Sequence, residues 1–309
     1  MTRPAIAIEP ATTPELEAAV TRGGGRVVTD TATADAIVWV NPRDPEGLKD
    51  LLKNAPARWV QLPFAGIESF VAAGVIDHGR TWTCTKGVYG PACAEHALAL
   101  MLAAARRLHR HARDKKWRRG GFGSPERRLN GTTAVILGTG GIGSSLVEML
   151  RPLGVRMIGV NRSGTPLAGA ERTVTVEHLA DVAVEADWLV VAAASTPATR
   201  HIVDARVLEA LPGDAWVVNV ARGELVDTDA LLGALTAGAI GGAALDVTEP
   251  EPLPERHPLW DQPDVIITPH VANTWDMAVP ELVALVERNV ARFASGESLE
   301  GVVDPASGY

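Results

Sequence analysis

Apolar and polar positions alternate along this chain in two series. In the first, positions 5–8, 36–40, 59–62 and 81–85 are short, mainly apolar or β-branched runs, the mark of strands. Between them, 14–21, 45–53 and 67–73 carry the three-to-four-residue spacing of helices. Strands apolar on both faces belong in a parallel sheet covered by helices. A long helix is predicted next, from about Pro91 to Trp117, with Ala94, Ala97, Leu98, Met101, Leu102, Ala105 and Leu108 on one face. Pro91 suits its first turn. A connector rich in Gly, Arg and Ser ends it, and strand candidates follow at 133–137, 155–160, 172–176, 188–193, 215–220, 243–247 and 265–268. The stretch 276–295 is amphipathic again, with Gly296 placed to cap it. The pattern predicts an α/β protein with two doubly wound parallel-sheet domains and no internal repeat.

A length of 309 residues agrees with two domains of ordinary size. The formal charge of −8 excludes a protein that binds polyanions over its whole surface. That charge is unevenly spread: 106–128 holds ten basic and two acidic residues, so any nucleic-acid contact would be confined to this arm. The bland alternative for the arm is a solvated helix face or a dimer surface. No apolar run approaches the roughly 18 residues of a membrane helix, and Glu9 and Pro10 break the N-terminal apolar patch before it could serve as a signal peptide. The expectation is a cytoplasmic protein. Cys84 and Cys93 form neither a disulfide framework nor a metal-ligand set, so no metal is expected.

Directly after the strand at 133–137 comes Gly138-Thr-Gly140-Gly141-Ile142-Gly143, opening a predicted helix at 144–150. Strand before and helix after is the setting in which G-x-G-x-x-G binds a dinucleotide. Gly138 permits the tight turn, Gly140 lets backbone approach a pyrophosphate, and Gly143 lets the helix pack on the strand. The helix amides then face the phosphates. At the end of the next strand an NAD enzyme would carry a carboxylate for the ribose hydroxyls. Here the residues are Asn161-Arg162-Ser163, and an arginine with a serine suits a 2′-phosphate. NADP(H) is expected over NAD(H), with NAD(H) possible.

Three further islands end predicted strands: Asn219-Val-Ala-Arg222-Gly223, Asp246-Val-Thr-Glu-Pro-Glu251-Pro and Thr268-Pro-His270. Ligands of open parallel sheets lie beyond the carboxyl ends of the strands, so an arginine, a glutamate and a histidine converge there. Arginine can fork onto a carboxylate, and histidine exchanges a proton near neutral pH. A neighbouring carboxylate holds the imidazole and raises its pKa. Such a set suits reduction of a 2-oxo acid. Taken singly, Arg222 could be a salt-bridge former and His270 a loop cap; His96 and His201 lack the strand-end context and read as structural.

The strings EHALALMLAAARR, VILGTGGIGSSL, VVNVARGELVDTDAL, ALDVTEPEPLPERHPLW and TPHVAN, with VVDPASGY at the end, carry a resemblance over nearly the whole length. The chain resembles the D-isomer-specific 2-hydroxyacid dehydrogenases, most closely their glyoxylate/hydroxypyruvate reductase branch. The resemblance implies a flavodoxin-like substrate domain, 1–96 plus 276–309, and a Rossmann dinucleotide domain, 97–275. It implies that Arg222 binds and polarises the oxo acid, that Glu251 rather than the nearer Glu249 partners the acid His270, and that Asp246 contacts the nicotinamide carboxamide. The amides of Ala65 and Gly66 would hold the substrate carboxylate. Gly141, Ile142, Thr196, Ala221 and His270 complete the implied cofactor contacts. A homodimer is implied too, with Trp117 or Phe122 of the basic arm as candidates to reach the partner's cleft.

Phe64 and Glu68 stand where many members have Gly and Asp; Phe64 could line the substrate pocket, and Trp275 is a second possible wall, though an aromatic near a helix start is more often packing. The expected substrate is therefore a small oxo acid such as glyoxylate or hydroxypyruvate. The open alternatives are a bulkier oxo acid, another small acid such as formate or phosphite, or a dinucleotide sensor without catalysis.

Overall fold

The computed structural model describes residues 3–114, 116–117 and 126–305. In chain order the elements begin β1 (Ala5–Glu9), α1 (Pro14–Arg22), β2 (Arg26–Val28), β3 (Ala36–Trp39), α2 (Pro45–Leu52), β4 (Trp59–Gln61), α3 (Glu68–Ala72) and β5 (Thr81–Thr83). Then come α4 (Gly90–Ala105), α5 (Leu108–Asp114), β6 (Thr133–Leu137), α6 (Gly141–Leu150), β7 (Arg156–Asn161), β8 (Arg172–Thr175), α7 (Leu179–Ala183) and β9 (Trp188–Val191). The series closes with α8 (Ala205–Ala210), β10 (Trp216–Asn219), α9 (Thr228–Thr236), β11 (Gly242–Leu245), β12 (Val265–Ile267) and α10 (Trp275–Ser295). The chain divides into two compact units: one runs to Tyr89 and resumes at Trp275, the other spans Gly90–Thr274.

In the first unit five parallel strands take the order β2-β1-β3-β4-β5, the flavodoxin-like winding. Side-chain caps start its helices: Thr13 accepts from the Leu16 amide before α1, and Asp44 from the Gly47 amide before α2, each followed by proline. One face of the sheet packs Ile37, Val60 and Trp82 on Leu48 and Phe70; the other packs Ile6, Val38 and Trp59 on Leu16, Val20, Leu282 and Val286. β2 escapes a sequence reading because it is a three-residue edge strand with no fully buried position.

The second unit has seven parallel strands in the order β12-β11-β10-β9-β6-β7-β8. The order in which strands are added reverses between β6 and β9, the switch point at which Rossmann sheets bind dinucleotides. Its two faces are covered by separate cores. Val135, Leu137, Leu189 and Val217 lie under α7, α8 and α9, and Ile136, Val190 and Val218 lie under α4 and α6. The long helix expected over 91–117 is broken. Arg107 adopts φ 52°, a left-handed backbone, and α5 starts afresh at Leu108. The turn lets Arg107 (2.5 Å) and Arg110 (2.7 and 2.5 Å) both reach the Asp264 carboxylate just before β12. Among the described residues, no helix is long and apolar enough to cross a membrane.

Candidate active site

β6 leads into the glycine turn. Gly138 has φ 100°, and a Cβ there would stand 2.5 Å from the Ala192 carbonyl, so only glycine fits. At Gly143 a Cβ would meet the Gly138 oxygen at 2.2 Å, which lets α6 settle onto its own turn. Gly140 differs: nothing lies within 4 Å of where its Cβ would be. No side chain caps α6, so the amides of Gly141, Ile142 and Gly143 and the positive helix end are left for an anion. A pyrophosphate fits this cradle. At the end of β7, Asn161 winds the loop about itself, donating to Thr139 Oγ1 and the Thr165 carbonyl (both 2.8 Å) and accepting from the Ser163 amide at 3.1 Å. Between them Arg162 is exposed and makes no ion pair among the described residues. Thr196, in the loop after β9, is held by Thr199, whose hydroxyl accepts from the Thr196 amide at 2.8 Å.

β10, β11 and β12 are neighbours in the sheet, so the loops that follow them are neighbours as well. β10 ends on the buried Asn219, which accepts from the Ala221 amide at 3.0 Å and donates to the Arg222 carbonyl at 2.8 Å. The Arg222 guanidinium donates to the Ala221 carbonyl at 2.7 Å. A Cβ at Gly223 would stand 2.0 Å from the Thr248 oxygen, so glycine here brings the Arg222 loop against the one after β11.

That second loop begins with Asp246, whose side chain is 1% exposed. Its carboxylate accepts from the Thr268 hydroxyl (2.6 Å) and from the amides of Val271 and Ala272 (both 2.9 Å), and His96 Nε2 lies 3.3 Å away. Burial pushes the Asp246 pKa up, but the hydrogen bonds from His96, Thr268 and the two amides outweigh it and hold the group at about 2. The Asp246 carbonyl also accepts from the His270 amide at 2.8 Å. His270 adopts φ 54°, a conformation costing a non-glycine residue about 1 to 2 kcal/mol, and these contacts with Asp246 pin it there. His270 Nδ1 meets Glu251 Oε1 at 2.7 Å. The other glutamate is engaged elsewhere: Glu249 pairs with Arg200 at 2.5 Å and His201 at 2.7 Å.

Ala65 and Gly66 lie in the first unit, in the loop after β4, partly exposed. The preceding Pro63 carbonyl accepts from Tyr89 Oη at 2.7 Å. Phe64 packs on Tyr89 and Trp275, with ring centroids 5.9 and 5.7 Å away.

Three residues near the site escaped the sequence reading. His96 is not an isolated structural histidine, since it meets Thr268 Oγ1 at 3.0 Å as well as Asp246. Its signal was a polar residue on an otherwise apolar helix, without an indication of its partner. Asn219 stood inside the N-x-x-R-G string without a role. Asn273, one residue past Ala272, has both polar side-chain atoms buried without a hydrogen-bond partner among the described residues. Orphaned amide groups cost about 1 to 3 kcal/mol, which fits a site completed by a bound polar group. Burial, with a smaller push from Asp246, raises the Cys93 thiol pKa to about 11, so it stays protonated at neutral pH. Trp117 is 94% exposed, and Phe122 lies outside the described residues.

Residues 98–272, more than half the chain, match the model of the D-isomer specific 2-hydroxyacid dehydrogenase NAD-binding domain. An uncharacterised protein of Corynebacterium melassecola is 40% identical over 96% of this chain and 97% of its own length. The glyoxylate reductase of Aeropyrum pernix is 35% identical over 80% of this chain and 77% of its own. Among solved structures, the NADPH-dependent glyoxylate/hydroxypyruvate reductase of Sinorhizobium meliloti, in complex with NADP and sulfate, covers both chains fully at 28% identity and a TM-score of 0.80. The chain belongs to the D-isomer-specific 2-hydroxyacid dehydrogenase family, and it is an oxidoreductase that works with a nicotinamide dinucleotide.

Proposed function

We propose that the protein reduces a small 2-oxo acid, glyoxylate or hydroxypyruvate, to the D-2-hydroxy acid, with NADPH preferred over NADH. The observation that carries the reading is the 2.7 Å contact between His270 Nδ1 and Glu251 on a turn adjoining the Arg222 loop. When bound, the reduced nicotinamide supplies the hydride. Arg222 binds the substrate carboxylate and draws charge toward the oxo oxygen. Glu251 fixes the imidazole through Nδ1, which leaves His270 Nε2 to deliver the proton to that oxygen as it becomes an alkoxide. The amides of Ala65 and Gly66 are the further donors assigned to the substrate carboxylate.

Small substrates are favoured by the aromatic packing of Phe64 and Trp275 beside that loop and by the likeness to glyoxylate reductases. The phosphorylated cofactor is favoured by Arg162 and Ser163 in place of a carboxylate. The first unit with α10 acts as the substrate domain. The arm forms part of a homodimer contact that includes the exposed Trp117 rather than a nucleic-acid surface, because its Arg107, Arg110 and Arg127 already face Asp264, Asp187 and Asp214.

Steady-state kinetics on a substrate panel with both cofactors tests this. Glyoxylate and hydroxypyruvate should give the highest kcat/KM, with NADPH ahead of NADH by about tenfold or more. Higher kcat/KM for a bulky oxo acid, or oxidation of formate or phosphite, would overturn the substrate assignment. Dinucleotide binding with no turnover on any acid would make the protein a sensor.

A further inference from the structure

The Asp246 carboxylate is approached from two sides, and the second approach comes from a helix outside the three catalytic loops. Thr268 has one hydroxyl proton, and at 2.6 Å it goes to Asp246 Oδ1. Thr268 Oγ1 can then only accept from His96 Nε2, 3.0 Å away, so that ring nitrogen carries the hydrogen. The result is a directed relay, from His96 Nε2–H to the Thr268 hydroxyl to Asp246 Oδ1, with the same His96 nitrogen 3.3 Å from Oδ1 itself. Beyond the carboxylate, the amides of Val271 and Ala272 donate to Oδ1 and Oδ2, and the His270 amide donates to the Asp246 carbonyl. Three successive amides of the turn that holds His270 in its left-handed conformation therefore end on one residue. The orientation of that residue is fixed from beneath by His96.

His96 is itself placed by α4. The first residue of this helix, Gly90, lies so close to α6 that a Cβ would stand 2.5 Å from the Gly141 carbonyl. The helix that supports the dinucleotide turn thus also aims His96 at Asp246. We propose that His96 is a positioning residue for His270, acting through Thr268 and Asp246 to hold the turn that presents the imidazole. This rests on His270 being the proton donor of the reaction.

The test compares His96→Leu, which removes the donor, with His96→Gln, which keeps an N–H at similar reach. In the protein without cofactor, hydrogen exchange of the Val271 and Ala272 amides should speed up about tenfold in His96→Leu and stay near wild type in His96→Gln. With saturating NADPH and glyoxylate, kcat should fall about tenfold in His96→Leu and recover to within about threefold in His96→Gln, with KM for glyoxylate little changed. Thr268→Val, which cuts the same relay without touching His96, should reproduce the kcat loss and add nothing when combined with His96→Leu. Unchanged exchange and unchanged kcat in His96→Leu would overturn the inference, as would equal impairment by leucine and glutamine. If His96→Leu does not fold, the Thr268→Val and His96→Gln pair decides by the same readouts. Should His270→Asn leave reduction intact, the proton-donor reading fails; should it abolish turnover while the His96 and Thr268 variants change nothing, only the positioning role fails.

Discussion

The two edges of the seven-stranded sheet handle charge in opposite ways. At the amino ends of the strands, Asp264, Asp187 and Asp214 precede β12, β9 and β10, and arginines from the basic stretch come to meet them. Arg127 lies over the Trp188 ring at 4.5 Å, and His109 packs edge-on to Trp216 with centroids 5.6 Å apart. Each of the charges named there has an opposite charge or an aromatic face. At the carboxyl ends the positive groups include Arg162, Arg222 and the uncapped start of α6, with Arg200 paired to Glu249, while the buried carboxylate, Asp246, is spent on hydrogen bonds to a turn. The amino edge is held by ion pairs to arginines of the basic stretch, and the carboxyl edge places groups suited to anions beside a buried, hydrogen-bonded carboxylate. An overall charge of −8 is compatible with anionic ligands because the positive groups they need are few and local.

The contrast breaks most sharply if a carboxyl-edge substitution damages folding more than catalysis. Arg222→Ala should lower kcat/KM by about a thousandfold, near 4 kcal/mol of transition-state stabilisation, with the urea midpoint within error of wild type. Asp246 gives the next effect. Its folded pKa of about 2 lies below the ordinary 3.8, so its contribution is fully present above about pH 4 and is lost as pH falls toward 2. That contribution is about 2 kcal/mol. Unfolding free energies measured from pH 5 down to 2 should show the decline in wild type and a flatter one in Asp246→Asn.

At the amino edge, Asp264→Asn should cost about 1 to 2 kcal/mol of stability, reduced by the partial exposure of Arg110, and leave kcat unchanged. Burial pushes the Asp264 pKa up, but Arg110, Arg107 and His109 outweigh it, so this contribution too is lost on acidification. The smallest effect belongs to Arg162→Ala. KM for NADPH should rise about tenfold and KM for NADH should not change, because the contact proposed for this exposed arginine is to a single phosphate.

Most strands of both sheets and the glycine turn were legible because their signals are local: short runs rich in apolar and β-branched residues, and a helix opening after G-x-G-x-x-G. Strand-end placement alone also points Arg222, Glu251 and His270 toward one region. The choice between Glu249 and Glu251 came from family resemblance, since two acids two residues apart look alike until Arg200 and His201 are seen to engage one of them. The break at Arg107 was hidden because arginine gives no warning of a left-handed backbone, and its partner there, Asp264, is more than 150 residues away. His96 was missed for the same reason, its partner Thr268 being 172 residues along the chain. Pairings closed only by tertiary structure leave no periodicity to read.

The central claim is that His270, pinned by Asp246 and oriented by Glu251, gives the proton when an oxo acid is reduced at the carboxyl edge. It is tested most directly by the kcat for glyoxylate reduction in His270→Asn, alongside NADPH affinity measured by fluorescence. The account predicts a fall in kcat of about 10² to 10⁴ with NADPH affinity within about threefold of wild type. A wild-type kcat in that variant would contradict it.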